Sequence, residues 1–107
     1  MPRIIRFKEV IMSIIRVNEF TAAADKSAEL FTFLQTLVPY IQGAKGCLSC
    51  ELLKHHQHTD QFMIIERWDC IENHQLAITH YPQADMQAAM SLFAAPPKGN
   101  YYQQAQG

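Results

Sequence analysis

The run GCLSCELLKHHQHTDQFMIIERWD, residues 46–69, decides how this chain folds. Residues 47–56 and 61–69 are rich in side chains suited to extended backbone, and the polar stretch QHTD, residues 57–60, separates them. Two such runs around a short polar turn predict an antiparallel hairpin. Successive side chains of a strand point to opposite sides. In the first strand this puts Leu48, Cys50, Leu52, Lys54 and His56 on one face, with Cys47, Ser49, Glu51, Leu53 and His55 on the other. In the second, Phe62, Ile64, Glu66 and Trp68 share a face, while Met63, Ile65 and Arg67 point the other way.

Upstream, VIMSIIRVNEF, residues 10–20, reads as an earlier strand. Ile11, Ile15 and Val17 fall on one of its faces, Met12 and Ile14 on the other. TAAAD leads into a helix, and Asp25 is suited to cap it because a carboxylate can accept from the unpaired amides of a first turn. From Asp25 to Gln42, Leu30, Phe31, Phe33, Leu34, Leu37, Val38 and Ile41 recur at helical spacing and form one apolar stripe. Pro39 removes a backbone hydrogen bond, which predicts a kink or an early end. GAKG, residues 43–46, terminates the helix.

Beyond the hairpin a second helix is expected over 70–80, then a break at Tyr81-Pro82. A further helical piece follows over 85–95, with Met86, Ala89, Met90 and Phe93 on one face, and PPKG stops it. NYYQQ, residues 100–104, reads as a short last strand. The order β-α-β-β-α-β predicts an α+β, ferredoxin-like antiparallel sheet with helices on one face. One domain is expected over 10–104, with residues 1–9 as an N-terminal extension.

Composition excludes several classes of function. Nine Lys+Arg against ten Asp+Glu leave no basic field for phosphates, so no nucleic-acid partner is expected. No apolar run approaches the roughly 20 residues that span a bilayer, and no membrane association is expected. MPRIIRFKEV lacks the apolar segment and cleavage site of a secretory signal, which points to the cytoplasm. Three cysteines are an odd number and do not suggest a disulfide framework.

Two helices can cover only one face of a four-stranded sheet, yet the strands at 10–20 and 61–69 are apolar on both. A solvated antiparallel face should alternate apolar with polar. A second copy of the chain, sheet against sheet, would cover the surplus and make a homodimer. The other reading is that β-branched residues there reflect strand propensity alone.

Four features carry possible chemistry. Cys47 and Cys50, on opposite faces and roughly 10 Å apart at about 3.3 Å per residue, suit neither a disulfide nor a shared zinc. KHHQH, residues 54–58, holds three histidines that diverge around a turn, so a solvated hairpin tip is the better reading, beside a weak surface metal site. Glu66 and Trp68 on an otherwise apolar face are either a structural hydrogen bond within the core or a polar feature inside a pocket. In the second helix Ile71, His74, Ile78 and Tyr81 lie on one side. His74 is therefore the histidine aimed at the core or a cavity.

Taken together, IIRVNEFTAAADKSAELF, LVPYIQGAKGC, the hairpin with its GC start and ERW end, and PPKGNYYQ resemble the antibiotic biosynthesis monooxygenase superfamily. The resemblance covers residues 11 to 103, nearly the whole chain. It implies a dimeric α+β barrel with a pocket between sheet and helices in each subunit. It also implies oxidation of a small aromatic or quinol-type substrate by dioxygen with no cofactor and no metal. Asn18 and Trp68 match pocket positions of the family and would hydrogen-bond substrate oxygens, with His74 as base or orienter. Glu66, Phe62 and Ile78 would line the substrate. The haem-degrading branch places its iron-ligating histidine near Ile78, where this chain has none, although His74 lies one turn earlier. The alternatives to a cofactor-independent monooxygenase are a haem-binding or haem-degrading protein, and a non-catalytic dimeric ligand-binding protein associated with stress.

Overall fold

The computed structural model describes residues 13–105. It forms β1 (Ile14–Thr21), α1 (Ser27–Gln42), β2 (Cys47–Lys54), β3 (Gln61–Trp68), α2 (Ile71–His80), α3 (Gln83–Ala89), a 3₁₀ turn (Met90–Leu92) and β4 (Lys98–Gln103). The expected extension over residues 1–9, and the part of the first strand expected over 10–12, lie outside the described residues. The strands make one four-stranded sheet in the order β2-β3-β1-β4, with all neighbours antiparallel. This is an α+β, ferredoxin-like fold.

Helix α1 follows its apolar stripe. Leu30, Leu34 and Leu37 are buried, while Phe31, Phe33, Val38 and Ile41 pack against the core from its rim. Burying one such side chain stabilises by about 1.5–3 kcal/mol, enough to fix which face meets the sheet. The expected end at Gln42 holds, with Pro39 inside the helix, and one expectation at its start is corrected. Asp25 does not cap it: with φ at 63° it occupies the left-handed region, and the position before the helix is Lys26, which makes no side-chain cap. Aspartate is among the few residues that tolerate that backbone, because a short polar side chain can bond locally.

Strand β2 departs from simple alternation. Cys47 lies opposite Trp68 and Ser49 opposite Arg67, so Leu48 is an extra residue in the ladder. A bulge of this kind returns the next inward position to the same face. Cys47 and Cys50 are therefore both buried in the core, correcting the expectation of opposite faces, and neither is in a disulfide.

Gly46 opens the hairpin with φ at 87°. A Cβ there would collide with the side chains of Asp69 and Asn73. Its carbonyl accepts from the Asp69 amide at 2.9 Å, and Asn73 Nδ2 donates to Asp69 Oδ1 at 2.9 Å. The start of α2 is thus tied to the turn before β2.

The expected helix over 85–95 is shorter and less buried. Of the apolar face expected there, only Ala89 is buried, and Met86 and Met90 are exposed. The chain after the 3₁₀ turn is held instead by backbone bonds, Ala23 N to Leu92 O and Ala94 N to Thr21 O, both 2.8 Å. These set Phe93 against Phe20 and Phe33.

The inner face of the sheet, toward the helices, carries Phe20, Phe62, Ile64, Glu66 and Trp68, all buried. Its outer face carries Ile15, Val17, Met63, Ile65 and Arg67, half-buried, with Leu53 and Tyr102 exposed. Among the described residues no helix is long and apolar enough to cross a membrane.

Candidate active site

The polar side chains of the inner face converge in the middle of the sheet. Register alone explains why: Arg16 lies opposite Glu66 on one side and Tyr101 on the other, and Asn18 lies opposite Ile64 and Gly99. Period two then turns Arg16, Asn18, Glu66, Trp68 and Tyr101 to one face, and α2 lowers His74 onto them.

Glu66 is the hub. Only 4% exposed, it accepts from Asn18 Nδ2 at 2.6 Å on one carboxylate oxygen and from Trp68 Nε1 at 2.8 Å on the other. Both partners are obligate donors, so the pattern suits an ionised carboxylate. Burial pushes the Glu66 carboxyl above its usual range, and the Trp68 and Asn18 bonds and the Arg16 charge pull it back.

His74 is also 4% exposed. Its Nδ1 lies 2.6 Å from the Tyr101 hydroxyl and its Nε2 lies 3.8 Å from a Glu66 oxygen. Burial, and then the Arg16 charge, lower its pKa to about 4, so it is neutral near pH 7. With its proton on Nε2, facing the carboxylate, Nδ1 is free to accept from Tyr101. Trp68 packs edge-on against the imidazole with ring centres 5.4 Å apart.

Arg16 closes the circuit. Its Nε donates to Asn18 Oδ1 at 3.1 Å, and its guanidinium lies 4.7 Å from the centre of the Tyr101 ring. It crosses Gly99, where any Cβ would strike the guanidinium. Arg16, Asn18 and Tyr101 are half-buried, in contrast to Glu66, Trp68 and His74 beneath them. The arrangement is a buried carboxylate and a neutral imidazole, with a hydroxyl and a guanidinium on the solvent side.

The structure brings Asn18, Glu66, Trp68 and His74 together. The donors expected to hold substrate, Trp68 Nε1 and Asn18 Nδ2, are both spent on Glu66. Ile78 is turned away: it is 58% exposed, and Ala77 takes the inward position. Phe62 is buried on the same face but at the far end of β3, beside a concavity of about 480 Å³ shared with Phe20, Leu53 and Lys54. A second concavity of about 420 Å³ lies between the C-terminal ends of α1 and α2. Neither is lined by Asn18, Glu66, Trp68 or His74.

Sequence reasoning missed Arg16 and Tyr101. The signal for Arg16 was present, because alternation continued past Ile14 reaches Arg16 and Asn18. That for Tyr101 needs the β1–β4 register, which no local pattern carries. Cys50, read from the sequence as suited to neither disulfide nor zinc, lies opposite Glu66; burial first, then the Glu66 charge, push its thiol up to about 12. It stays a protonated core thiol. The hairpin histidines are exposed, and His55 Nδ1 accepts from the backbone amides of Gln57 and His58 at 3.0 Å each. Among the described residues no group of three or more His, Cys, Asp or Glu side chains is arranged to hold a metal ion.

Known structures share this architecture. PA3566 from Pseudomonas aeruginosa superposes with a TM-score of 0.81 at 17% identity, over 91% of this chain and 98% of that one. A conserved protein from Methanosarcina mazei Go1 gives a TM-score of 0.82 at 12% identity, over 92% and 99%. SnoaB, a cofactor-independent oxygenase from Streptomyces nogalater, in a mutant form, gives 0.75 at 16% identity, over 90% and 96%. No curated protein matches the sequence. The sequence profile of the antibiotic biosynthesis monooxygenase family matches residues 13–77, from the start of β1 to the inward Ala77 of α2, and the chain belongs to that family.

Proposed function

We propose that this chain is a cofactor-independent monooxygenase that acts with dioxygen on a small aromatic substrate of quinol or phenol type. The observation that carries this reading is the Tyr101–His74–Glu66 chain of contacts, buried at Glu66 and opening to solvent at Tyr101. It supplies what substrate-driven oxygen chemistry needs from a protein, namely a base, a place for the proton and a dry surround.

In this mechanism the substrate hydroxyl gives its proton to the Tyr101 oxygen as Tyr101 passes its own to His74 Nδ1. The imidazolium that forms faces Glu66, whose carboxylate offsets the new charge. Asn18 and Trp68 hold that carboxylate in place. The substrate anion gives one electron to dioxygen, and the resulting radical pair joins through a new C–O bond as a peroxide. The stored proton returns to the outer peroxide oxygen. The C–H bond at the peroxide carbon then breaks, its electron pair forms the carbonyl as the O–O bond cleaves, and the hydroxide expelled takes the released proton and leaves as water. One oxygen atom is incorporated, the other leaves as water, and the substrate's two C–H or O–H bonding pairs supply all four electrons.

The half-exposed apolar outer face supports a homodimer packed sheet to sheet. Three cysteines outside any disulfide suit a cytoplasmic site. Oxygen uptake across a panel of quinols and anthrones tests the activity. Turnover by wild type should fall by about 10²–10⁴-fold in His74→Ala. No uptake with any member of the panel refutes the reaction, and a Trp68→Phe, Asn18→Ala double variant that matches wild type refutes the site.

A further inference from the structure

Arg16 is an unusual residue to find on the helix-covered side of a sheet. It is half-buried and makes one hydrogen bond, through Nε to Asn18. Among the described residues, neither of its terminal nitrogens has a hydrogen-bond or salt-bridge partner. Burying part of a cation is costly unless something uses it. The surroundings hold it still: Asn18 fixes Nε, the Tyr101 ring lies against the plane, and the bare backbone of Gly99 leaves the room it fills. A guanidinium fixed in this way presents its outer two donors as a planar fork, the geometry that matches a delocalised oxyanion.

We propose that Arg16 is the specificity-determining residue of this site, and that it selects substrates presenting a planar oxyanion, a phenolate or a ring carboxylate, beside the Tyr101 hydroxyl. The inference rests on the active-site reading above and adds the charge state of the substrate to it.

Charge balance supports the assignment. The groups that meet here from every packed element are Arg16 on β1, Glu66 on β3, His74 on α2 and Tyr101 on β4. Before reaction, the Glu66 carboxylate lies across the β1–β3 ladder from Arg16 without pairing with its terminal nitrogens. Once the proton has moved, the imidazolium of His74 takes Glu66 as its partner, and Arg16 needs a new anion. A substrate oxyanion at the outer fork provides it, so each cation then has its own anion. A neutral substrate leaves Arg16 facing a protonated His74, a repulsion that adds to burial in holding the imidazole low.

The test uses 4-nitrophenol, whose visible absorbance reports its own ionisation, against its methyl ether 4-nitroanisole, which cannot ionise. Binding to the full chain is followed by absorbance and by quenching of Trp68. Wild type should bind the phenolate about tenfold or more tighter than the ether, as befits a charge-assisted pair, and should lower the bound phenol's apparent pKa. Arg16→Gln should bind the two probes alike, and Arg16→Lys should recover part of the preference. Equal binding of phenolate and ether by wild type overturns the inference alone, as does an Arg16→Gln variant that keeps the preference. Failure of wild type to bind either probe overturns the inference together with the active-site reading beneath it.

Discussion

The two faces of this sheet invert the usual rule. The inner face, covered by α1 and α2, holds the charged and polar side chains of Arg16, Asn18 and Glu66 among its apolar ones. The outer face, uncovered in the single chain, carries Ile15, Val17, Met63, Ile65 and Leu53 beside charged and polar residues such as Glu19 and Arg67. A chain built only for stability would do the reverse, because buried polar groups gain little over water while exposed apolar ones gain nothing. On the function proposed above, both anomalies have one source: the inner face serves chemistry, and the outer face is buried by association.

Three measurements sharpen or break that contrast. The largest effect is expected where the inner face is conventional. Leu34 is fully buried in α1, and Leu34→Ala should lower the unfolding free energy by about 2–5 kcal/mol in urea titration. A loss under 1 kcal/mol would show that the helix does not rest on the sheet as described.

Next comes the acid dependence of the polar part. His74 has a folded pKa of about 4 against an ordinary 6.5, so the native state binds fewer protons than the unfolded one between those values. Its contribution is complete above pH 6.5 and is lost as pH falls toward 4. Glu66, raised by burial, acts in the opposite sense and loses stability as pH rises. A comparison of wild type with His74→Asn across this window isolates the histidine. Wild type should lose roughly 1–3 kcal/mol more than the variant on acidification. Parallel curves would mean that His74 is open to solvent.

The smallest change in chain stability is expected on the outer face. Ile65→Lys should alter it by about 0.5 kcal/mol or less, yet reduce the sedimenting mass from that of a pair to that of one chain. A wild type that already sediments as a single chain removes the association reading.

Most of the scaffold was legible because its signals are local. The stripe from Leu30 to Ile41 can be satisfied only by a helix with one buried face. The polar QHTD turn between two β-rich runs admits little but a hairpin. Where the reading failed, something non-local intervened. The extra residue at Leu48 reverses the facing of Cys47, and alternation cannot register an insertion into a ladder. Ile78 and Ala77 are adjacent on α2, and which of them turns inward depends on the roll of the helix over β3. Hydrophobicity favours Ile78, but close packing against the sheet takes the smaller residue. The site was half legible for the same reason. Asn18, Glu66, Trp68 and His74 each stood out as polar or aromatic residues on an apolar face. Arg16 and Tyr101 become neighbours only through pairing of the first strand with the last.

The turn at Gly46 extends the reach of the site well beyond its own atoms. Its bare α-carbon is what lets Asp69 and Asn73 nest against the hairpin, and His74 is the very next residue. A methyl group at position 46 would push on the first turn of α2 and tilt the imidazole relative to Tyr101. The set of the imidazole against Tyr101 is thereby hostage to a loop remote from both, and any redesign of the proposed site should leave that hydrogen atom alone.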